Sequence, residues 1–384
     1  MDRLRGWRDR RVADPGFRRW AAGFALTRPI ARRRAQELFD LVAGFTYSQV
    51  LLACVRLNLF DRLAKRSMSA LELARCVDMS PQATERLLDA GVALRLFSRS
   101  RSVVADTNYS LGPLGAPMVG NAALAAMIEH HAVLYADLAD PVALLRAPTG
   151  QSALARYWPY ASRSVAGAGP LTQDEVDRYS ALMAVSMPLV ADEILGAYSL
   201  ARHSRLLDVG GGEGAFASAV ARRWPHLTLE VFDLPAVAQR ARHRLAREGL
   251  VDRITVHGGD FLFDALPTGA DVISLVRVVH DHDDDHVLAL LHAVRRALPM
   301  RGVLLLAEPM ADTPGAQAMG DAYFGMYLWA MGSGKPRSFA RLSELLVQAG
   351  FERPRVLRNL MPLQSRVLLV RPATVANRVV PSND

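Results

Sequence analysis

The sequence predicts two domains: a mostly helical N-terminal one, and a C-terminal α/β domain built on a mostly parallel sheet. Three observations carry this. The chain has 384 residues, 51% of them hydrophobic, enough to bury two cores. Between Leu38 and about Val119 the pattern is helical and then breaks into a short hairpin. From Arg205 onward, strand-like runs alternate with amphipathic helices, the mark of βαβ units covered on both faces.

The first 36 residues stand apart by charge. Eleven arginines (Arg3, Arg5, Arg8, Arg10, Arg11, Arg18, Arg19, Arg28, Arg32, Arg33, Arg34) face Asp2, Asp9 and Asp14, so this arm carries the whole formal charge of +8. Trp7, Phe17, Trp20 and Phe24 are interleaved with them. Such a composition suits a helix lying on an anionic membrane surface, or one packed on a partner subunit. No run of eighteen or more apolar residues is read as spanning a bilayer, and the N-terminus lacks a secretory pattern. Cys54 and Cys76 lie in helix-like apolar segments. A cytoplasmic protein with reduced thiols is expected.

Residues 37–168 form the next segment. Phe45, Val50, Leu51, Val55 and Leu59 carry one long apolar helix, and Ser69-Ala-Leu-Glu-Leu-Ala a second. Ser80 with Pro81 caps a third. Leu96-Phe-Ser and Asn108-Tyr-Ser-Leu pair as a small wing. Three helices and a wing make a winged-helix unit, which in many proteins binds DNA. Here the recognition helix offers Arg86 and Arg95 among Leu87, Leu88, Ala90, Val92 and Leu94. That face is built for burial, so a dimerisation or substrate-lid role is expected and nucleic-acid binding is not. Ser162 to Pro170 reads as a linker, which sets the second domain at residues 169–375 and a tail at 376–384.

Strands are expected at 205–209, 228–233, 254–257, 272–279 and 303–308, and such sheets bind ligands at the carboxyl ends of their strands. Leu206-Leu-Asp-Val-Gly-Gly-Gly-Glu-Gly-Ala215 joins the first strand to a helix, and its glycines let the backbone approach a ligand closely. Gly210, Gly212 and Ala215 also fit a dinucleotide fingerprint. Asp208 separates the readings: a carboxylate there repels a pyrophosphate but favours the ammonium and sulfonium of S-adenosyl-L-methionine. Asp233 closes the second strand, where it can accept ribose hydroxyls. Asp260 beside Phe261 suits the amine and ring face of adenine.

His280 ends the fourth strand. Neutral near pH 7, it is the candidate base for a hydroxyl that attacks a methyl carbon. Asp283 to Asp285 read as the acidic first turn of the next helix rather than as metal ligands, so no metal is expected. At least one of His130 and His131 is expected to be a structural, partly buried polar residue.

Together, the winged-helix segment, Asp-Val-Gly-Gly-Gly-x-Gly, Phe-Asp-Leu-Pro235, Gly-Gly-Asp-Phe261, His-Asp281 and Gly-Ser-Gly-Lys335 resemble the small-molecule O-methyltransferases typified by plant caffeic-acid and bacterial polyketide enzymes. Further segments beginning at Trp20, Tyr47 and Tyr135 look like the branch of that family acting on bacterial carotenoids. The resemblance implies a Rossmann-like class I methyltransferase domain with a seven-stranded sheet, and a homodimer with interlocked N-terminal domains. It places Gly210, Asp233, Asp260, Phe261, Arg277 and Met183 at the cofactor, His280 as base and Glu308 beside it. Pro336 stands where plant members carry a second glutamate that orients the histidine.

The implied reaction methylates the tertiary hydroxyl of an acyclic hydroxylated carotenoid. Its hydrophobic slot is expected to be lined by Met118, Met127, Tyr323, Phe324, Met326 and Met331. The arm would then dock the enzyme on the inner or photosynthetic membrane. Two alternatives remain at this point: an O- or C-methyltransferase of the same fold for a polyketide or bacteriochlorophyll-type substrate, and a winged-helix DNA-binding regulator.

Overall fold

The computed structural model describes residues 2–100, 107–158, 187–188, 190–361 and 365–374. By contacts the chain divides into two units, residues 1–121 and 122–384.

The basic arm of the first unit is helical. It comprises α1 (Asp2–Ala13), α2 (Pro15–Gly23) and the start of α3 (Arg28–Arg56). Asp14 caps α2, its Oδ1 accepting the Phe17 amide at 2.6 Å, with Pro15 just inside. Because no proline interrupts α3 past Pro29, the expected boundary at residues 36 and 37 falls inside a continuous helix. Its arginines crowd the first two turns and leave Asp40 as the one charge in residues 38–55. As a result α3 is, by length and composition, apolar enough to cross a membrane, with a mean hydropathy of 1.6 over 18 residues. This corrects the expectation that no segment of the chain would qualify. Leu38, Phe39, Leu41, Val42 and Phe45 are exposed along it.

The rest of this unit holds α4 (Leu59–Lys65), α5 (Ala70–Val77) and α6 (Pro81–Ala93). Ser69 and Glu72 form a capping box on α5, and Ser80 caps α6. The wing forms as expected: β2 (Phe97–Ser100) pairs antiparallel with β3 (Asn108–Leu111), and a short β1 (Met68–Ser69) adds to the other side of β3. Leu88 of α6 is fully buried.

The second unit opens with α7 (Ala122–Asp137), α8 (Pro141–Arg146) and α9 (Ala153–Tyr157), then α10 over residues 190–197. Leu134, Leu154 and Trp158 share one buried cluster with Tyr327, Leu328 and Met331. That packing draws residues 122–158 into the second unit, ahead of the expected boundary. The boundary itself, the linker Ser162 to Pro170 and the tail 376–384 lie outside the described residues.

Seven strands follow: β4 (Arg205–Val209), β5 (Thr228–Asp233), β6 (Ile254–Gly258), β7 (Val272–Val276), β8 (Val303–Glu308), β9 (Arg355–Leu357) and β10 (Arg366–Val370). Their order is β6-β5-β4-β7-β8-β10-β9. The first five in this order are parallel, and β10 runs antiparallel to both β8 and β9. Every residue of β7 and β8 is buried, as strands covered on both faces require. The winding reverses between β4 and β7, so the loops after these two strands meet at the switch point.

Candidate active site

β4 hands over to α11 (Ala215–Arg223) through Gly210 to Gly214. Gly210, Gly212 and Gly214 take φ of 67°, 57° and 77°, a conformation L side chains rarely adopt. A Cβ on Gly212 would meet nothing within 4 Å, whereas one on Gly210 would sit 2.7 Å from Val278. The loop is open on one side and pressed on the other against the turn after β7.

Asp208 is buried beneath this loop. Ser274 Oγ donates to its Oδ1 at 2.7 Å, while Oδ2 has no partner among the described residues. Burial pushes its carboxyl up to about 7, against the Ser274 hydrogen bond. An unpartnered buried polar group costs about 1–3 kcal/mol, and a cation held by the loop offsets that cost by favouring the ionised form. Asp208 thus lies against the backbone of the loop at Gly211 rather than on its open side.

Asp233 ties two loops together: Oδ2 accepts the Gly212 amide and Oδ1 the Leu234 amide, each at 2.8 Å. Each oxygen keeps a lone pair for a ligand hydroxyl. Burial raises this carboxyl to about 6 despite both bonds. Asp260 and Phe261 follow β6; Asp260 Oδ1 accepts the Leu262 amide at 2.9 Å, and the Phe261 ring meets His282 edge-on at 5.2 Å. Since β4, β5 and β6 are parallel neighbours, the three aspartates gather at one end of the sheet. Met183 lies outside the described residues.

The strand expected to reach Val279 stops at Val276. There Arg277 turns to φ 57° and its amide bonds Ala307 O at 2.8 Å, leaving the next amides free for a carboxylate. Glu308, the last residue of β8, takes them: its Oε1 accepts Val278 N–H at 2.9 Å and Val279 N–H at 2.7 Å. Its Oε2 lies 2.6 Å from His280 Nδ1, and Asp281 Oδ1 lies 3.1 Å from Nε2. Phe324 stands edge-on to the imidazole at 6.0 Å. Burial alone lowers the pKa of His280, but the carboxylates of Asp281 and Glu308 prevail and raise it above the ordinary histidine value. His280 thus keeps its proton to higher pH than an ordinary histidine.

Pro336 occupies a segment clamped to this turn. Lys335 N–H donates to His280 O at 3.0 Å and Ser333 Oγ to Asp281 O at 2.7 Å. Gly334, at φ 80°, allows it, since a Cβ there would lie 2.1 Å from His280 O. The buried Arg337 bonds Val279 O at 2.8 Å and His282 O at 2.6 Å, and pairs with Asp284 at 2.7 Å. Asp284 also pairs with Lys335 and Arg341, which holds its carboxyl far below the usual range against the effect of burial. It serves as a clamp on α13 (Asp284–Ala297), whose N-cap is Asp283.

The expected pocket residues have different surroundings. Tyr323, Phe324 and Met326 are half-buried around the start of α14 (Phe324–Met331), and Met127 is half-buried on α7. Met331 is packed into the cluster of α7, α9 and α14, and Met118 into the core of the first unit. His130 and His131 both reach this region: His130 Nε2 lies 2.6 Å from Tyr327 Oη and His131 Nε2 lies 2.7 Å from Tyr323 Oη. The sequence signal for Asp281 was its place in the His-Asp pair, but nothing in the pattern marked Ser274, Arg337 or the two histidine–tyrosine pairs.

Residues 135–352 match the model of the O-methyltransferase domain, and residues 39–121 that of the O-methyltransferase dimerisation domain. The chain is 45% identical over 348 residues to demethylspheroidene O-methyltransferase of Cereibacter sphaeroides, covering 90% of this chain and 89% of that one. It is 39% identical to the enzyme of the same name from Rhodobacter capsulatus, covering 88% and 82%. The crystal structure of human N-acetylserotonin methyltransferase in complex with S-adenosylmethionine shares the fold, with a TM-score of 0.72 at 24% identity over 89% of this chain and 98% of that one. The open glycine loop, the unpartnered Asp208 oxygen and the strand-end carboxylates fit this cationic cofactor.

Affinity for S-adenosylmethionine, measured by calorimetry, is expected to fall as pH is lowered through about 7 to about 6, where Asp208 and Asp233 take up protons. The sign follows from the raised carboxyl values: binding a cation favours the ionised form, which is lost on acidification. Asp208→Asn should flatten that dependence and weaken binding about tenfold; a wild-type affinity indifferent to pH over this range contradicts the assignment. With His280 as the base, turnover is expected to rise with pH through a midpoint above about 6.5. Asp281→Asn should move that midpoint to lower pH. An unmoved midpoint would mean that Asp281 does not act on the imidazole.

Proposed function

Because the chain belongs to the O-methyltransferase family, we propose that it methylates the tertiary hydroxyl of an acyclic hydroxylated carotenoid of the demethylspheroidene type. The observation that carries this reading is the likeness, along nearly the whole chain, to two demethylspheroidene O-methyltransferases. S-adenosylmethionine, when bound, supplies a methyl group on an electron-poor sulfonium. The backbone of Gly210 to Gly214 cradles it, Asp233 receives its ribose hydroxyls, and Asp260 with Phe261 holds its adenine. Arg277 and Met183 complete the contacts. Asp208 favours its positive charge from below.

His280 receives the hydroxyl proton at Nε2 once that atom is free of its own proton, and Glu308 fixes the ring by Nδ1. Asp281 Oδ1 lies 3.1 Å from the other ring nitrogen, Nε2. Because the loops after β4 and β7 meet at the switch point, the residues are set to align oxygen, methyl carbon and sulfur, and such placement supplies much of the acceleration. Half-buried Met127, Phe324 and Met326 offer an adaptable apolar wall for a polyene.

The dimerisation-domain match supports a homodimer acting on a small molecule. In this reading a second copy covers the apolar face of α3. The arm helices serve another end, docking a cytoplasmic enzyme on an anionic membrane from which an insoluble substrate is drawn. Trp20 stacks on Phe24 at 5.2 Å and Arg11 lies over the Trp7 ring at 5.6 Å. Trp7, Trp20 and Phe24 remain exposed, as an interfacial anchor requires.

Incubation with methyl-labelled donor and demethylspheroidene should give a labelled methoxy carotenoid by mass spectrometry. Label transferred to a polyketide phenol but not to the carotenoid sinks the reading. Deleting residues 1–27, which leaves α3 whole, should abolish co-sedimentation with anionic vesicles and leave S-adenosylmethionine affinity unchanged. Sedimentation that survives the deletion rules out the arm as the anchor.

A further inference from the structure

Two adjacent histidines on α7 grip two tyrosines one helical turn apart, and the pairs differ in one respect. In the inner pair Tyr327 Oη is fully engaged. It lies 2.6 Å from His130 Nε2 and accepts the Trp158 Nε1–H at 2.8 Å. Trp158 can only donate, so it fills an acceptor position of Tyr327 Oη beside the His130 contact. The outer pair repeats the arrangement: Tyr323 Oη lies 2.7 Å from His131 Nε2, and the rings are edge to face at 5.4 Å. A phenol is the stronger acid and imidazole nitrogen the stronger base of the two, which favours Tyr323 as donor and His131 as acceptor. No residue among those described donates to Tyr323 Oη, which thus has the acceptor position that Trp158 fills on Tyr327 still open.

Two further observations link Tyr323 to the neighbourhood of His280. Tyr323 is the last residue of a π-helical turn (Ala318–Tyr323) that runs directly into α14, and such turns re-aim side chains and recur at functional sites. The next residue, Phe324, has its ring 5.0 Å from that of Tyr323 and 6.0 Å from the imidazole of His280. Burial keeps both partners uncharged, pushing the Tyr323 phenol up to about 12 and the His131 imidazole down.

We infer that, before methyl donor binds, Tyr323 Oη, with its own proton committed to His131, accepts a hydrogen bond from the hydroxyl of the methyl acceptor, which turns to His280 Nε2 for the transfer. It reads an O–H donor and loses its partner once that oxygen is methylated. His131 is a positioning residue that sets the polarity of the contact. The inference rests on the carotenoid reading and adds to it a means of distinguishing alcohol substrate from ether product. A site built to pair with a hydroxyl rejects the analogue lacking it because its polar atom is then left unpaired.

Binding can be measured without methyl donor, from the shift of the polyene absorption band, using demethylspheroidene and its O-methyl product as the two probes. The wild-type enzyme is expected to bind the alcohol about 3–10-fold more tightly than the ether, the worth of one neutral hydrogen bond. Tyr323→Phe should bring that ratio to about one without changing S-adenosylmethionine affinity. His131→Leu should do the same by freeing the phenol proton to donate to the ether, whereas His131→Gln, whose Oε1 can still accept that proton, should keep the preference. A wild-type ratio retained in Tyr323→Phe, or a preference lost equally in His131→Gln and His131→Leu, overturns the inference. Failure of the wild-type enzyme to methylate demethylspheroidene overturns the carotenoid reading instead.

Discussion

The catalytic end of the sheet depends on one buried carboxylate. Glu308 closes β8 with four approaches to its two oxygens: the amides of Val278, Val279 and His280 and the His280 ring nitrogen. A buried carboxylate without partners costs several kcal/mol. The chain after β7 must therefore turn its amides toward Glu308, and it does so by ending the strand at Val276 and placing Arg277 in the left-handed region, a strain tolerated at functional sites. His280 is the consequence of that turn. Its ring has both nitrogens opposite carboxylates, and its carbonyl anchors Lys335.

Asp208 is the complementary case. It too is a buried carboxyl at a strand end, but one of its oxygens has no partner among the described residues. Glu308 spends its capacity on the protein's own backbone and on fixing the His280 ring. Asp208 keeps capacity in reserve, so its charge responds to what the glycine loop holds. Asp233, bonded to two loop amides, lies between these extremes. The same chemical group is thus held to different degrees at three strand ends, according to how many N–H groups reach it.

What was legible in the sequence was local. The cap at Ser80, the wing at Phe97–Ser100 and Asn108–Leu111, the alternation after Arg205 and the glycine loop are all written within a few residues of each other, and periodicity reports them directly. The family resemblance, not the pattern, pointed to seven strands. Pairings across long separations were not legible. Arg337 lies 53 residues from Asp284, and His131 lies 192 from Tyr323; only the folded backbone brings them together. The start of α3 was missed for a different reason: charge divided the chain at residue 36, but helical backbone is indifferent to that charge and continues through it. The carboxylate at His280 Nδ1 was not legible in the pattern either, because Glu308 lies 28 residues further along the chain.

Two carboxylates at one imidazole have a direct spectroscopic consequence. A nitrogen-15 NMR titration of His280 in the wild-type protein and in Glu308→Gln tests it without any substrate. A midpoint above about 6.5 in the wild type, lower in the variant because one carboxylate is gone, is the expected result. A wild-type midpoint at or below that value, or one that Glu308→Gln leaves in place, would contradict the claim that Glu308 and Asp281 govern the base.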